Sequence, residues 1–218
     1  MYIDVPEPPD RLDPDLIQLP AETALWRVHP DDFTATQFNP NDKPEMSEGR
    51  FHPFQDSQGR WVATLYASDS VDGALSETIF HDLLGGGQSI LLPSRYEERT
   101  LSRIRTTETF TLANLQGHGL HRLGIKRGHL LEAPPFQYDK TVAWAKAIHN
   151  CHRSIQGMVW TSRQLDTSQS IILFGDRIRR RGLKKTSTSH PLHEGEGFRF
   201  VKEYATKSDI PIITRKMA

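Results

Sequence analysis

LYASDSVDGALSETIF, residues 65–80, reads as the end of a strand, a short polar turn and the first turns of a helix. The strand is the last part of RWVATLYAS (60–68), where Trp61, Ala63, Leu65 and Ala67 share one face and Val62, Thr64, Tyr66 and Ser68 the other. Asp69 or Ser70 is suited to cap the helix, whose apolar positions Val71, Ala74, Leu75, Thr78 and Ile79 follow helical spacing. Glu77 falls opposite that stripe, one turn after Gly73. Packing needs neither residue there. Both are expected to serve a ligand, with the glycine allowing close approach to the helix that carries the acid.

Around this unit the pattern is mixed. TALWRVH (23–29) reads as a short strand carrying Arg27, and Pro30–Glu48 as a loop rich in Pro, Asn and Asp. LLGGGQ (83–88) supplies glycines to end the helix. Residues 89–112 hold another strand or two. DKTVAWAKAIHNCH (139–152) is an amphipathic helix with Val142, Ala145, Ile148 and Cys151 along its stripe, and GMVWTSR and SIILFGD are short buried strands. FRFVKEY (198–204) is expected to be a last strand, and the five prolines of residues 1–20 imply an extended lead-in. Strands do not alternate regularly with helices, so an α+β fold is expected instead of a doubly wound parallel sheet.

The 218 residues suffice for one core, and 27 Lys and Arg balance 27 Asp and Glu. No global field therefore favours nucleic acid, an anionic membrane or an acidic substrate. Cys151 is the only cysteine, which excludes an intramolecular disulfide and is read as a buried structural thiol. The N-terminus lacks the basic and apolar regions of a secretory signal, and no stretch has the length of a membrane span, so a cytoplasmic protein is expected. His118, His121 and His129 lack a helical HExxH and a carboxylate set, so no metal site is expected. The basic run RIRRRGLKK (177–185) reads as a solvated loop, open to an acidic partner. LLGGGQS lacks the GK[ST] of a phosphate loop.

The chemistry-bearing residues form a set. Arg27 and Arg50, each beside an aromatic residue, are candidate bidentate anion clamps. Tyr66 offers a flat ring for stacking a heteroaromatic base, and Glu77 a carboxylate. LWRVH, GRFHP, TLYAS, ALSE and QGMVWTSR, in this order, resemble the RES domain, the toxin of RES and Xre toxin–antitoxin pairs. The resemblance runs in blocks from about Leu25 to about Phe174, leaving the lead-in and the basic tail outside.

That resemblance implies an ADP-ribosyltransferase-like split mixed sheet with NAD+ in its cleft as substrate, and no prosthetic group. It implies cleavage of the nicotinamide–ribose bond with inorganic phosphate or water as acceptor, by an NAD+ phosphorylase or glycohydrolase. Arg27, Tyr66 and Glu77 take catalytic roles and Arg50 binds the dinucleotide. The family serine, a further dinucleotide-binding position, is Ser162 in WTSR by preference, with Thr141 as the alternative. The expected partner is an Xre-type antitoxin whose C-terminal segment inserts into the cleft. Nucleic acid is then reached only through the antitoxin, and homodimers are common among such toxins. Two other readings stand beside this one: a mono-ADP-ribosyltransferase acting on a protein, and a non-catalytic partner-binding module.

Overall fold

The computed structural model describes residues 4–42, 49–83 and 89–214. Its strands are β1 (Leu16–Leu19), β2 (Ala24–Pro30), β3 (Thr64–Ser68), β4 (Arg99–Thr106), β5 (Phe110–Asn114), β6 (Gly157–Thr161), β7 (Gln169–Phe174), β8 (Leu183–Lys185) and β9 (His190–Pro191). Its helices are α1 (Val71–Ser76), α2 (Gly117–Arg122), α3 (Arg127–Leu130), α4 (Tyr138–Cys151) and α5 (Gly195–Lys207). The strands form one mixed sheet in the order β1-β5-β6-β7-β3-β2-β4-β8, with β9 also on β4. Among the described strands only β5 and β6 pair in parallel. This is an α+β fold, as the irregular strand and helix order implied.

The sheet nearly parts in its middle. β2 meets β4 over seven residue pairs and β3 meets β7 over five, but β2 and β3 share the single pair Trp26↔Ser68. A hydrogen-bonded ladder this short leaves backbone and side chains of both strands available to a cleft.

Alternation along the strands distributes the core. Leu65 and Ala67 of β3 join Leu25, Ile104, Leu112, Val159, Ile171 and Leu173 on one face. On the other face Tyr66 packs against a cluster that contains Trp160, Ile172 and the α4 residues Trp144, Ala145 and Ile148. A separate cluster gathers Ala74, Leu75 and Ile79 with Leu101, Val201 and Tyr204, so α1 and α5 cover the β2–β4 half. The cleft lies between these two helix-covered halves.

Several local expectations are corrected. FRFVKEY is helix: α5 buries Gly197, Val201, Tyr204 and Ala205 at spacings of three and four, which outweighs the β-propensity of its Phe, Val and Tyr. The lead-in contains β1, whose Leu16–Leu19 pairs with Phe110–Ala113. The basic run is not all loop, because β8 pairs Leu183–Lys185 with Ile104–Thr106. Within RWVATLYAS only Thr64–Ser68 is strand, and Trp61 makes an isolated bridge to Gln55. α2 and α3 occupy a stretch given no helix in the sequence reading.

Cys151 is exposed, because α4 ends at that residue and its buried stripe is Thr141, Trp144, Ala145, Ile148 and His149. The glycines expected to end the first helix lie outside the described residues, as do residues 43–48 of the expected Pro30–Glu48 loop, while α1 already stops at Ser76. No helix of the described residues is long and apolar enough to cross a membrane.

Candidate active site

Ser70 caps α1, its hydroxyl accepting from the Gly73 N–H at 2.9 Å. Six residues later the helix ends, and Glu77 occupies the C-terminal cap with its N–H donating to the Gly73 carbonyl at 3.1 Å. The turn after β6 holds the side chain. Glu77 Oε1 accepts from the Ser162 hydroxyl at 2.5 Å and from the Arg163 N–H at 2.8 Å. Ser162 is itself fully buried and accepts from the Gln164 and Leu165 N–H groups, both at 3.1 Å. One carboxylate oxygen is thus fixed by a braced hydroxyl, and among the described residues Oε2 takes no hydrogen bond.

Gly73 has a packing reason beside the one expected. A Cβ there would lie 2.1 Å from Ser168 Oγ and 2.2 Å from Ser68 Oγ. These hydroxyls belong to a network in which Ser168 donates to Asp69 at 2.5 Å and Ser68 donates to the Gln169 carbonyl at 2.8 Å. The missing side chain makes room for hydroxyls that tie α1 to β7, although Gly73 also lines the cleft.

The two arginines are buried. Arg27 is 5% exposed, and its Nη1 donates to the carbonyls of Ala35 at 3.0 Å and Gln37 at 2.8 Å, while Nε is buried with no partner. Burial lowers its pKa to about 10. Arg50 is 6% exposed, donates from Nη1 to the Ala133 carbonyl at 3.1 Å and lies 5.3 Å from the Tyr138 ring centre. Its Nη2 is also buried and unpaired. Desolvation lowers the pKa of Arg50, and neighbouring Tyr138 and Glu77 oppose that shift. A buried guanidinium without full hydrogen bonding is costly, so each of these groups favours a bound anion.

Arg27, Arg50, Tyr66 and Glu77 line one cavity of about 1320 Å³ at the split between β2 and β3. Burial pushes the Tyr66 phenol well above its usual range, so it stays neutral. Thr141 and Ser162 do not line the cavity. Thr141 is fully buried and its hydroxyl donates to the Arg50 carbonyl, fixing the backbone that carries the arginine. Ser162 orients Glu77 from behind. Both sit one layer back from the space a ligand would fill.

Among the cavity residues not expected from the sequence, three carry ring systems beside the candidate set. These are His52, Tyr138 and Trp160. Tyr138 opens α4 beneath Arg50, and Trp160 meets the Tyr66 ring edge-on at 6.2 Å. Nothing local marks Tyr138 or Trp160. In GRFHP the arginine carries the signal, and the histidine two residues on is the one local hint at a further cavity residue. Among the described residues no group of three His, Cys, Asp or Glu side chains is arranged to hold a metal ion.

The RES domain family model matches residues 24–193. The chain belongs to the RES domain family. The match contains every candidate residue above and reaches beyond Phe174 to include β8 and β9, while α5 lies after it. Among solved structures, the RES chain is similar in fold to a chain of the M. tuberculosis MbcT–MbcA toxin–antitoxin complex, with a TM-score of 0.56 and 12% identity. That likeness covers 86% of this chain and 92% of the other. No curated protein matches the sequence.

Proposed function

We propose that this RES domain protein is the toxin of a toxin–antitoxin pair and cleaves the nicotinamide–ribose bond of NAD+, transferring ADP-ribose to inorganic phosphate or water. One observation carries the reading: two buried arginines, each with an unpaired N–H, line the same cavity as a carboxylate held by one oxygen. Family membership and the likeness to a toxin–antitoxin complex support the biological role. By the same analogy, the partner is an antitoxin of the Xre type.

The residues divide the chemistry between them. Arg27 and Arg50 pair with the pyrophosphate and fix the dinucleotide across the cavity. The ring of Tyr66 stacks on the nicotinamide. As the bond from ribose C1′ to the nicotinamide nitrogen breaks, its electron pair neutralises the pyridinium and positive charge develops on the ribose. Glu77 Oε2 stabilises that charge, as a carboxylate does in glycoside hydrolysis. Phosphate or water then adds to C1′, and water gives up a proton as it does so.

The test is product analysis with antitoxin-free protein and NAD+, with and without phosphate. ADP-ribose 1″-phosphate formed only with phosphate identifies phosphorolysis, and free ADP-ribose identifies hydrolysis. A mass increase on an added cellular protein with neither free product assigns the activity to protein ADP-ribosylation. Intact NAD+ with folded protein contradicts the proposal and favours a partner-binding module.

A further inference from the structure

The hydroxyl of Tyr66 is engaged by the GRFHP turn. It accepts from the Phe51 N–H at 3.2 Å and lies 3.0 Å from His52 Nδ1. A phenol has one proton to give. The backbone N–H of Phe51 can only donate, so the phenol proton is left for His52 Nδ1, and the contact is made with the Nδ1 lone pair of a neutral imidazole in the tautomer protonated at Nε2. The working part of Tyr66 is accordingly its ring face.

The sequence builds a slot for this imidazole. Gly49 and His52 close a tight turn through two backbone hydrogen bonds, Gly49 N–H to His52 carbonyl at 3.0 Å and His52 N–H to Gly49 carbonyl at 3.3 Å. A Cβ on residue 49 would lie 2.2 Å from His52 Cε1, so any other residue there would displace the ring. The imidazole sits 5.1 Å from the Tyr66 ring centre at 58°, and Trp160 supports the same tyrosine edge-on. GRFHP therefore delivers both an anion clamp, Arg50, and the group that holds the aromatic platform.

We infer that His52 is a positioning residue: its Nδ1 holds the Tyr66 hydroxyl and thereby sets the plane of the ring on which the cationic nicotinamide stacks. The inference rests on the proposed NAD+ cleavage. Burial lowers the His52 pKa to about 4, so the imidazole is neutral at pH 7 and adds no positive charge beside a pyridinium. Loss of the contact acts on the nicotinamide end of the substrate alone. ADP-ribose, which lacks nicotinamide, binds through the arginines and is indifferent to it.

The experiment measures kcat and KM for NAD+, and Kd for ADP-ribose, in wild type, His52→Asn, His52→Gln, His52→Ala, Tyr66→Phe and the Tyr66→Phe, His52→Ala pair. Asn offers an acceptor where Nδ1 stood, whereas Gln offers one where Nε2 stood. The expected result is a KM raised about tenfold in His52→Ala and His52→Gln, within threefold of wild type in His52→Asn, with the Kd for ADP-ribose unchanged throughout; a tenfold change corresponds to about 1.4 kcal/mol. In the Tyr66→Phe background, His52→Ala adds nothing further. A His52→Ala enzyme that matches wild type, an ADP-ribose Kd that weakens in step with KM, or an Asn variant no better than Ala overturns the inference. Wild-type protein that releases no nicotinamide overturns the NAD+ reading together with it.

Discussion

Glu77 reaches its position because α1 stops one residue before it and because Ser162, two residues after the buried Trp160, meets it there. A hydrogen bond to a charged acceptor contributes about 1.5–3 kcal/mol, so Ser162→Ala should lower kcat by about 10- to 100-fold while the protein stays folded. Steady-state kinetics beside circular dichroism check this. The sequence reading named Ser162 as a ligand contact; its geometry is that of a support behind the carboxylate. Gly73 has a packing role that its own segment does not announce, because Ser168, which crowds its Cβ position together with the neighbouring Ser68 and Ser70, comes from a distant part of the chain. Gly73→Ala should destabilise by about 2 kcal/mol or more through overpacking, read as a lowered urea midpoint.

At the scale of elements, the unit from Thr64 to Glu77 was legible because strand alternation and helical spacing both appear within it, and the turn between carries a cap. What surrounds it was less so. The period in α5 is short and its residues have strand-forming side chains, so composition misleads where spacing does not. β1 has four residues and exists because β5 offers an edge, which nothing in LIQL announces. The segment before β1 is anchored to α4: Val5 is 1% exposed, and Trp144 donates its indole N–H to the Pro6 carbonyl at 2.6 Å. Deleting residues 1–13 removes that contact and leaves a buried indole N–H unpaired. The expected loss is about 2–4 kcal/mol in urea unfolding.

For the whole molecule, the split between β2 and β3 is the consequential feature, and it was legible only through the family resemblance. No local pattern reports how many pairs two strands will share. The same cleft gives a pH signature. His52 titrates near 4 in the folded protein and near the ordinary histidine value when unfolded, so between these values the unfolded chain binds the extra proton. Stability from this group is complete above about pH 6.5 and is lost as pH falls towards 4. The thermal midpoint should therefore drop from pH 7 to pH 5 more steeply in wild type than in His52→Asn.

The central claim is that Glu77 drives cleavage of NAD+ in this cleft, and the most direct measurement is the rate of nicotinamide release by purified, antitoxin-free wild type and Glu77→Gln. Gln keeps the oxygen that Ser162 and Arg163 hold but removes the charge. The account predicts release by the wild type and a loss of at least about 100-fold in the variant, the scale of removing a principal electrostatic group. Equal release by both proteins, or none by a folded wild type, would contradict it.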